Sequence, residues 1–234
     1  GTAPGGATPP PPPLLVIGPR QLRRFLVLFS RLNPLSHRFI DCCETADSRR
    51  TMRWGAGVIT PDAKQAIAEA CAALNLETIT SVDVVHCPHA WAVALKHTDG
   101  WKLVYSGDTR PCKALVEAAK DATVLIHEAT FEDTLLHEAI AKQHSLTREA
   151  VETGASANAY RTLLTHFSQR YPKIPVVEER HRGSTGIAFD LMRVRFDTHL
   201  PVLPQLYDPL MALFPDEVQA RQYDDEEQEE ALIQ

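Results

Sequence analysis

Four short apolar runs in this chain each stop at a group able to bind a metal or move a proton. "SVDVVH" ends at His86, "KLVYSGDT" at Asp108, "VLIHEAT" at His127-Glu128 and "RTLLTHFS" at His166. Between them lie segments with helical periodicity, "PCKALVEAAKDA" and "TREAVETGASANAY". Asp99-Gly100 joins two β-rich runs and reads as a hairpin turn. Strands joined both by hairpins and by helical crossovers predict an α/β fold, a mixed sheet with helices outside. Runs of this kind can finish at one edge of the sheet, where α/β folds gather their polar site groups.

The rest of the chain supplies further elements. "LLVIG" (14–18) reads as a short buried strand, and Pro19 opens a helix, "RQLRRFLVLFSRL". Thr60 as cap, Pro61 in the first turn and Ala/Ile/Leu periodicity predict a helix over 60–75. "GIAFDLMRVRF" (186–196) alternates like a half-exposed strand, and "DPLMALFPDE" closes as a short helix. Residues 33–57 are mixed and predict no clear element. Residues 1–13 read as a Pro/Gly-rich linker, 14–215 as the folded body and 216–234 as an acidic, disordered tail.

Composition excludes several classes. A chain of 234 residues with 44% hydrophobic and 23% charged residues can build a core. It contains no apolar run long enough to span a membrane, and its start lacks the basic-then-apolar pattern of a secretory signal, so it is expected not to be secreted. Five cysteines, an odd number with no CxxC pair, argue against a disulfide framework and a zinc knuckle, and for a reducing compartment. Cys87 is expected to be a small buried residue. The net charge of −6 is concentrated at Asp224, Asp225, Glu226, Glu227, Glu229 and Glu230. The whole chain therefore offers no basic field for sequence-independent nucleic-acid binding.

The imidazole–carboxylate–imidazole set of His86, Asp108 and His166 suits zinc, and manganese or iron can take such a site. A carboxylate can give one oxygen to each of two metals, and two metals about 4 Å apart clamp both oxygens of a phosphodiester displacement. Each residue also has a bland reading. A histidine closing an apolar run is often a satisfied core group, Asp108 in "SGDT" suits a turn or helix cap, and His127-Glu128 suits a hydrogen-bonded structural pair.

Taken together, "HCPHAWAVALKHTDGWKLVYSGDTRPCKALVEAAKDATVLIHEATFED", "KQHSLTREAV" and "LLTHFSQRYPKIP" resemble the C-terminal half of long-form tRNase Z. That family is a zinc phosphodiesterase on the αββα metallo-β-lactamase fold that trims the 3′ trailer from precursor tRNA. The resemblance implies that His86 and His166 are metal ligands, that Asp108 bridges two Zn2+ ions, and that Glu128 and His144 work together near the leaving 3′-hydroxyl. A carboxylate that orients an imidazole favours its charged form, ready to donate a proton. Where the family has His-Ser-Thr, this chain has His144-Ser145-Leu146, which weakens the usual grip on the tRNA end but keeps the proton-transfer group.

One departure is larger. The family's His-x-His-x-Asp-His motif, which supplies most ligands of one metal and a general base, has no counterpart among His37, His89, His97, His137, His181 and His199. The chain is therefore expected to be the C-terminal part of a fold incomplete at its N-terminal side, inactive alone and binding at most one metal weakly. Long forms resemble monomers with two fused halves, acting in nucleus and mitochondrion. Arg170 and Lys173, with Arg180 and Arg182, are candidate RNA contacts or simply a solvated basic loop. The rival readings are a non-catalytic RNA-processing subunit of the same fold and another hydrolase of that fold acting on small molecules.

Overall fold

Residues 13–46, 58–168 and 174–214 are described in a computed structural model. Residues 1–12 of the expected linker, 47–57 of the mixed stretch and the expected acidic tail lie outside them.

β1 (Leu14–Gly18), α1 (Arg20–Phe29) and β2 (His37–Asp41) form a crossover unit in which the two strands pair in parallel, Gly18 opposite Asp41. α2 (Cys42–Thr45) starts at once from β2. Its cap is reciprocal: Cys43 N–H donates to Asp41 Oδ1, and Asp41 N–H donates to Glu44 Oε1. α3 (Pro61–Leu74) starts where Thr60 Oγ1 accepts from Ala63 N–H and stops at Asn75, in the left-handed region at φ 54°. Ala63 and Ala66 of this helix pack on Ile40 with Leu15 and Ile17.

β3 (Leu76–Asp83), β4 (Trp91–His97), β5 (Lys102–Tyr105), β6 (Val124–Glu128), β7 (Thr162–Thr165) and β8 (Thr185–Ile187) form one six-stranded sheet in chain order. The β3–β4 and β4–β5 pairs are antiparallel and the remaining pairs parallel. The sheet is therefore mixed, as the hairpin and crossover signals predict. β3, β5, β6 and β7 consequently run in the same direction and end at the same edge.

Four helices between the strands, α4 (Lys113–Ala119), α5 (Leu136–Lys142), α6 (Thr147–Ser156) and α7 (Glu179–Arg182), and α8 (Tyr207–Leu213) complete the fold. Adjacent residues of the inner strands point to opposite faces, and both faces are covered. Val104 and Leu125 join Leu115, Ala118 and Ala119 of α4 on one side. Leu103, Val124 and Leu163 meet Leu200 and Leu203 on the other. Burial on both faces is why these strands read as unbroken apolar runs. Gly154 sets how closely α6 approaches β7, because a Cβ there would collide with Thr162 Oγ1.

The expected strand over 186–196 is corrected. Only Thr185–Ile187 pairs with β7, and beyond it the chain turns, with Leu191 at φ 64°. Ala188, Met192, Val194 and Phe196 still alternate because they pack from this loop onto the sheet's second face. Burial, not strand pairing, made the pattern. No helix among the described residues is long and apolar enough to cross a membrane.

Candidate metal centre

The shared edge of β3, β5, β6 and β7 delivers His86, Asp108, Glu128 and His166 to one place, and the loop between α5 and α6 adds His144. His86 Nε2 lies 3.8 Å from Asp108 Oδ2, and His166 Nε2 lies 3.7 Å from Asp108 Oδ1. Each oxygen of the carboxylate thus faces a different imidazole. The His144 ring sits between, 4.6 Å from that of His86 and 5.4 Å from that of His166. The donor atoms fall into two groups, His86–Asp108–His144 and Glu128–His144–His166, within each of which they lie within 4.8 Å of one another.

The backbone bends to make this convergence. Gly107 stands at φ 58°, and a Cβ there would come 2.9 Å from the Trp91 carbonyl oxygen, so glycine is required just before Asp108. His166 itself lies at φ 63°, a conformation costly for a residue with a side chain. Such local strain concentrates at functional sites.

Every imidazole has its Nδ1 engaged. His86 Nδ1 is 2.8 Å from the Gln143 carbonyl oxygen, His144 Nδ1 is 3.0 Å from Glu128 Oε1, and His166 Nδ1 is 2.7 Å from Thr130 Oγ1. A ring that donates from Nδ1 leaves Nε2 with a bare lone pair, the form a metal needs. The rings of His86 and His166 with the Asp108 carboxylate make an N/O donor set of the kind that fits a divalent ion such as zinc, and the His144 ring lies beside it.

Glu128 has another task. It is buried, and five donors satisfy it: Thr109 N–H (2.9 Å), Ser145 N–H (3.1 Å) and His144 Nδ1 (3.0 Å) at Oε1, with Thr130 N–H (3.1 Å) and Thr130 Oγ1–H (2.8 Å) at Oε2. That many donors offset the cost of taking a carboxylate out of water. They also tie the loops after β5, β6 and α5 to one anchor.

A second anchor holds the His144 loop. Arg110 Nη1 donates to the His144 carbonyl oxygen (2.7 Å) and to Glu149 Oε2 (2.7 Å). The same Glu149 oxygen accepts from Leu146 N–H (2.9 Å) at the start of α6. Ser145 Oγ donates to the Thr109 carbonyl oxygen (2.6 Å). The sequence reading missed Arg110, Glu149 and Thr130. Glu149 carried a signal, an acid in the first turn of a helix; Arg110 and Thr130 carried only their place beside Asp108 and Glu128.

Other expected residues fall elsewhere. Leu146 turns its side chain away from the site into a small cluster with Phe131 and Ala139. Cys87 is exposed, which corrects the expectation that it is buried: it lies beyond the end of β3 in the loop that turns at His89 (φ 64°). Arg170 and Lys173 lie outside the described residues. Arg180 pairs with Glu178 (2.8 Å), and Arg182 donates to the Val177 carbonyl oxygen (3.1 Å) and lies over the Tyr207 ring. Arg182 is thus held within the fold.

His127 points to the opposite face from Glu128. Its Nδ1 meets the Glu128 carbonyl oxygen at 2.6 Å, and its buried Nε2 has no hydrogen-bond partner among the described residues. Desolvation pushes its pKa below the ordinary histidine value, against the smaller opposing pull of the Glu128 contacts. The unfolded chain takes up this proton near pH ~6.5 and the folded chain resists it. Stability from this group is therefore complete above about pH 6.5 and falls as the pH drops below it. Urea unfolding from about pH 7.5 to about pH 5.5 is expected to show that loss, and His127→Asn to remove most of the slope. An unchanged slope in the variant assigns the loss to other groups.

Comparisons with known proteins bear on this arrangement. No family model matches the chain. A mitochondrial tRNase Z of Arabidopsis thaliana is 42% identical over 241 residues, covering 88% of this chain and 27% of the relative. The human zinc phosphodiesterase ELAC protein 2 is 41% identical over 207 residues, covering 88% of this chain and 24% of the relative. The chain thus spans about a quarter of the length of these relatives. The crystal structure of a long form RNase Z from yeast superposes with a TM-score of 0.70 at 27% identity, covering 85% of this chain and 30% of that one. The human short-form tRNase Z superposes at 0.53 with 21% identity, covering 79% of this chain and 68% of that one, a likeness of fold.

Proposed function

We propose that the chain, which is similar over most of its length to tRNase Z proteins and superposes on a long form RNase Z, has their metallo-β-lactamase fold and carries one side of a zinc-dependent endoribonuclease site that removes the 3′ trailer from precursor tRNA. The observation that carries this reading is the split carriage of Asp108, one oxygen toward His86 and the other toward His166. A carboxylate so placed can serve two metals. The bare Nε2 atoms of His86 and His166 would then be the ligands, and Nε2 of His144, which faces the same space, the atom that takes up a proton and hands it on. Zinc, when bound, supplies the Lewis acidity that makes water a usable nucleophile near neutral pH.

The chain's own residues do the rest. Glu128 accepts from His144 Nδ1 and so aims Nε2 at the reacting space, where a proton on that atom can pass to the departing 3′-hydroxyl. The Arg110–Glu149 pair keeps the His144 loop from drifting. A non-catalytic subunit of the same fold has no need of these five converging side chains. The names of the Arabidopsis relatives support a mitochondrial location.

Two measurements test this reading. The purified chain is expected to bind a single zinc ion weakly rather than two tightly, since His86, Asp108 and His166 give three protein ligands. Residues 14–214, exchanged for the matching segment of the Arabidopsis tRNase Z, are expected to preserve trailer cleavage. A folded, zinc-loaded chimera that leaves precursor tRNA intact would sink the endonuclease reading.

A further inference from the structure

Thr130 lies at the turn after β6, between Glu128 and His166, and its hydroxyl can serve them in only one way. Its Oγ1 is 2.8 Å from Glu128 Oε2, 2.7 Å from His166 Nδ1 and 3.3 Å from His144 Nδ1. Among the described residues five donors surround the Glu128 carboxylate, three of them backbone N–H groups that can only donate. It acts as acceptor only. The single hydroxyl hydrogen of Thr130 therefore goes to Glu128 Oε2. What remains on Oγ1 are lone pairs, and they face His166. His166 must then donate from Nδ1, which leaves its Nε2 bare and turned toward Asp108 Oδ1 at 3.7 Å.

The backbone holds this order in place. Thr130 N–H also donates to Glu128 Oε2 (3.1 Å), so the amide and hydroxyl of one residue grip one oxygen. On either side of His166, Ala129 N–H donates to the Thr165 carbonyl oxygen (2.8 Å) and Ser168 N–H to the Thr130 carbonyl oxygen (3.1 Å). The two loops are laced together around the His166 ring.

We propose that Thr130 is a positioning residue through which Glu128 fixes the tautomer of His166 as well as that of His144. One carboxylate then orients two imidazoles, His144 by direct contact and His166 through a hydroxyl. This rests on the metal-site reading for its purpose but not for its geometry. Groups that orient a ligating histidine typically contribute about 10–100-fold to metal affinity.

The test reads ring tautomers in the metal-free 234-residue chain by long-range 15N–1H correlation at about pH 8. His166 is expected as the Nδ1–H form in the wild type and in Thr130→Ser. In Thr130→Val, nearly the same shape without the hydroxyl, His166 is expected to shift toward Nε2–H. Zinc affinity is expected to fall about 10–100-fold in Thr130→Val and to stay within about threefold of wild type in Thr130→Ser. Finding His166 as Nε2–H in the wild type overturns the proposal without any variant. So does a folded Thr130→Val with unchanged tautomer and affinity. A wild-type chain with His166 as Nδ1–H that takes up no zinc supports the Thr130 assignment and removes the metal reading instead.

Discussion

Asp108→Ala is expected to abolish measurable zinc binding by this chain. The carboxylate faces both His86 Nε2 and His166 Nε2, at 3.8 and 3.7 Å. Without it the two imidazoles no longer share an anion. Loss of an orienting contact alone costs about 10–100-fold, so loss of the shared ligand is expected to exceed about 100-fold. Titration against a chromophoric chelator measures it. Asp99→Ala is the control, because Asp99 sits in the exposed hairpin turn beside His97. The fold should not notice the first change: Asp108 keeps only ion-pair distances to imidazoles and sits half-exposed, so metal-free stability is expected to move by about 0.5 kcal/mol or less. Equal zinc affinity in Asp108→Ala and wild type would place the ion elsewhere.

Glu128→Leu, in contrast, damages the fold whether or not metal is present. It strands Thr109 N–H, Ser145 N–H, Thr130 N–H, the Thr130 hydroxyl and His144 Nδ1, all of which now point at this carboxylate. Each buried donor left without a partner costs about 1–3 kcal/mol. Some of them reach water after the loops relax, so the net loss is expected to be about 5 kcal/mol. That approaches the whole stability of an ordinary domain, roughly 5–15 kcal/mol. Urea unfolding near neutral pH reads it directly. Glu128→Gln keeps the shape and one oxygen but turns an amide toward existing donors, and is expected to lose roughly half as much. A Glu128→Leu chain within about 1 kcal/mol of wild type would show that the loops are held by other contacts.

The positions of His86, Asp108, Glu128 and His166 were legible because sheet geometry is simple. Apolar runs of four to five residues buried on both faces cannot easily be anything but inner strands, and their ends must then be polar. β2 was not legible: "HRFID" has no clear alternation, and it is a strand because β1 lies beside it in parallel. The loop at 188–196 deceived by alternating for a reason other than pairing. The bonds that hold the site together could not be read either. Arg110 reaches Glu149, and Ser145 reaches Thr109, across 39 and 36 positions of chain. Such partners are chosen by the closing of loops in space, which no local pattern records. Thr130 stood two residues from Glu128 in plain view, but its importance depends on which way a single hydrogen points.

The common direction of β3, β5, β6 and β7 has a consequence for how the chain can change. Their starting ends, at Asn75, the Asp99-Gly100 turn, Asp121 and Arg161, all lie on the rim opposite the donor groups. Extra residues spliced into that rim lengthen loops but leave the spacing of the imidazoles untouched, since the sheet between acts as a fixed ruler. A reporter or purification tag inserted at Gly100 belongs there, where no atom lies near the missing Cβ.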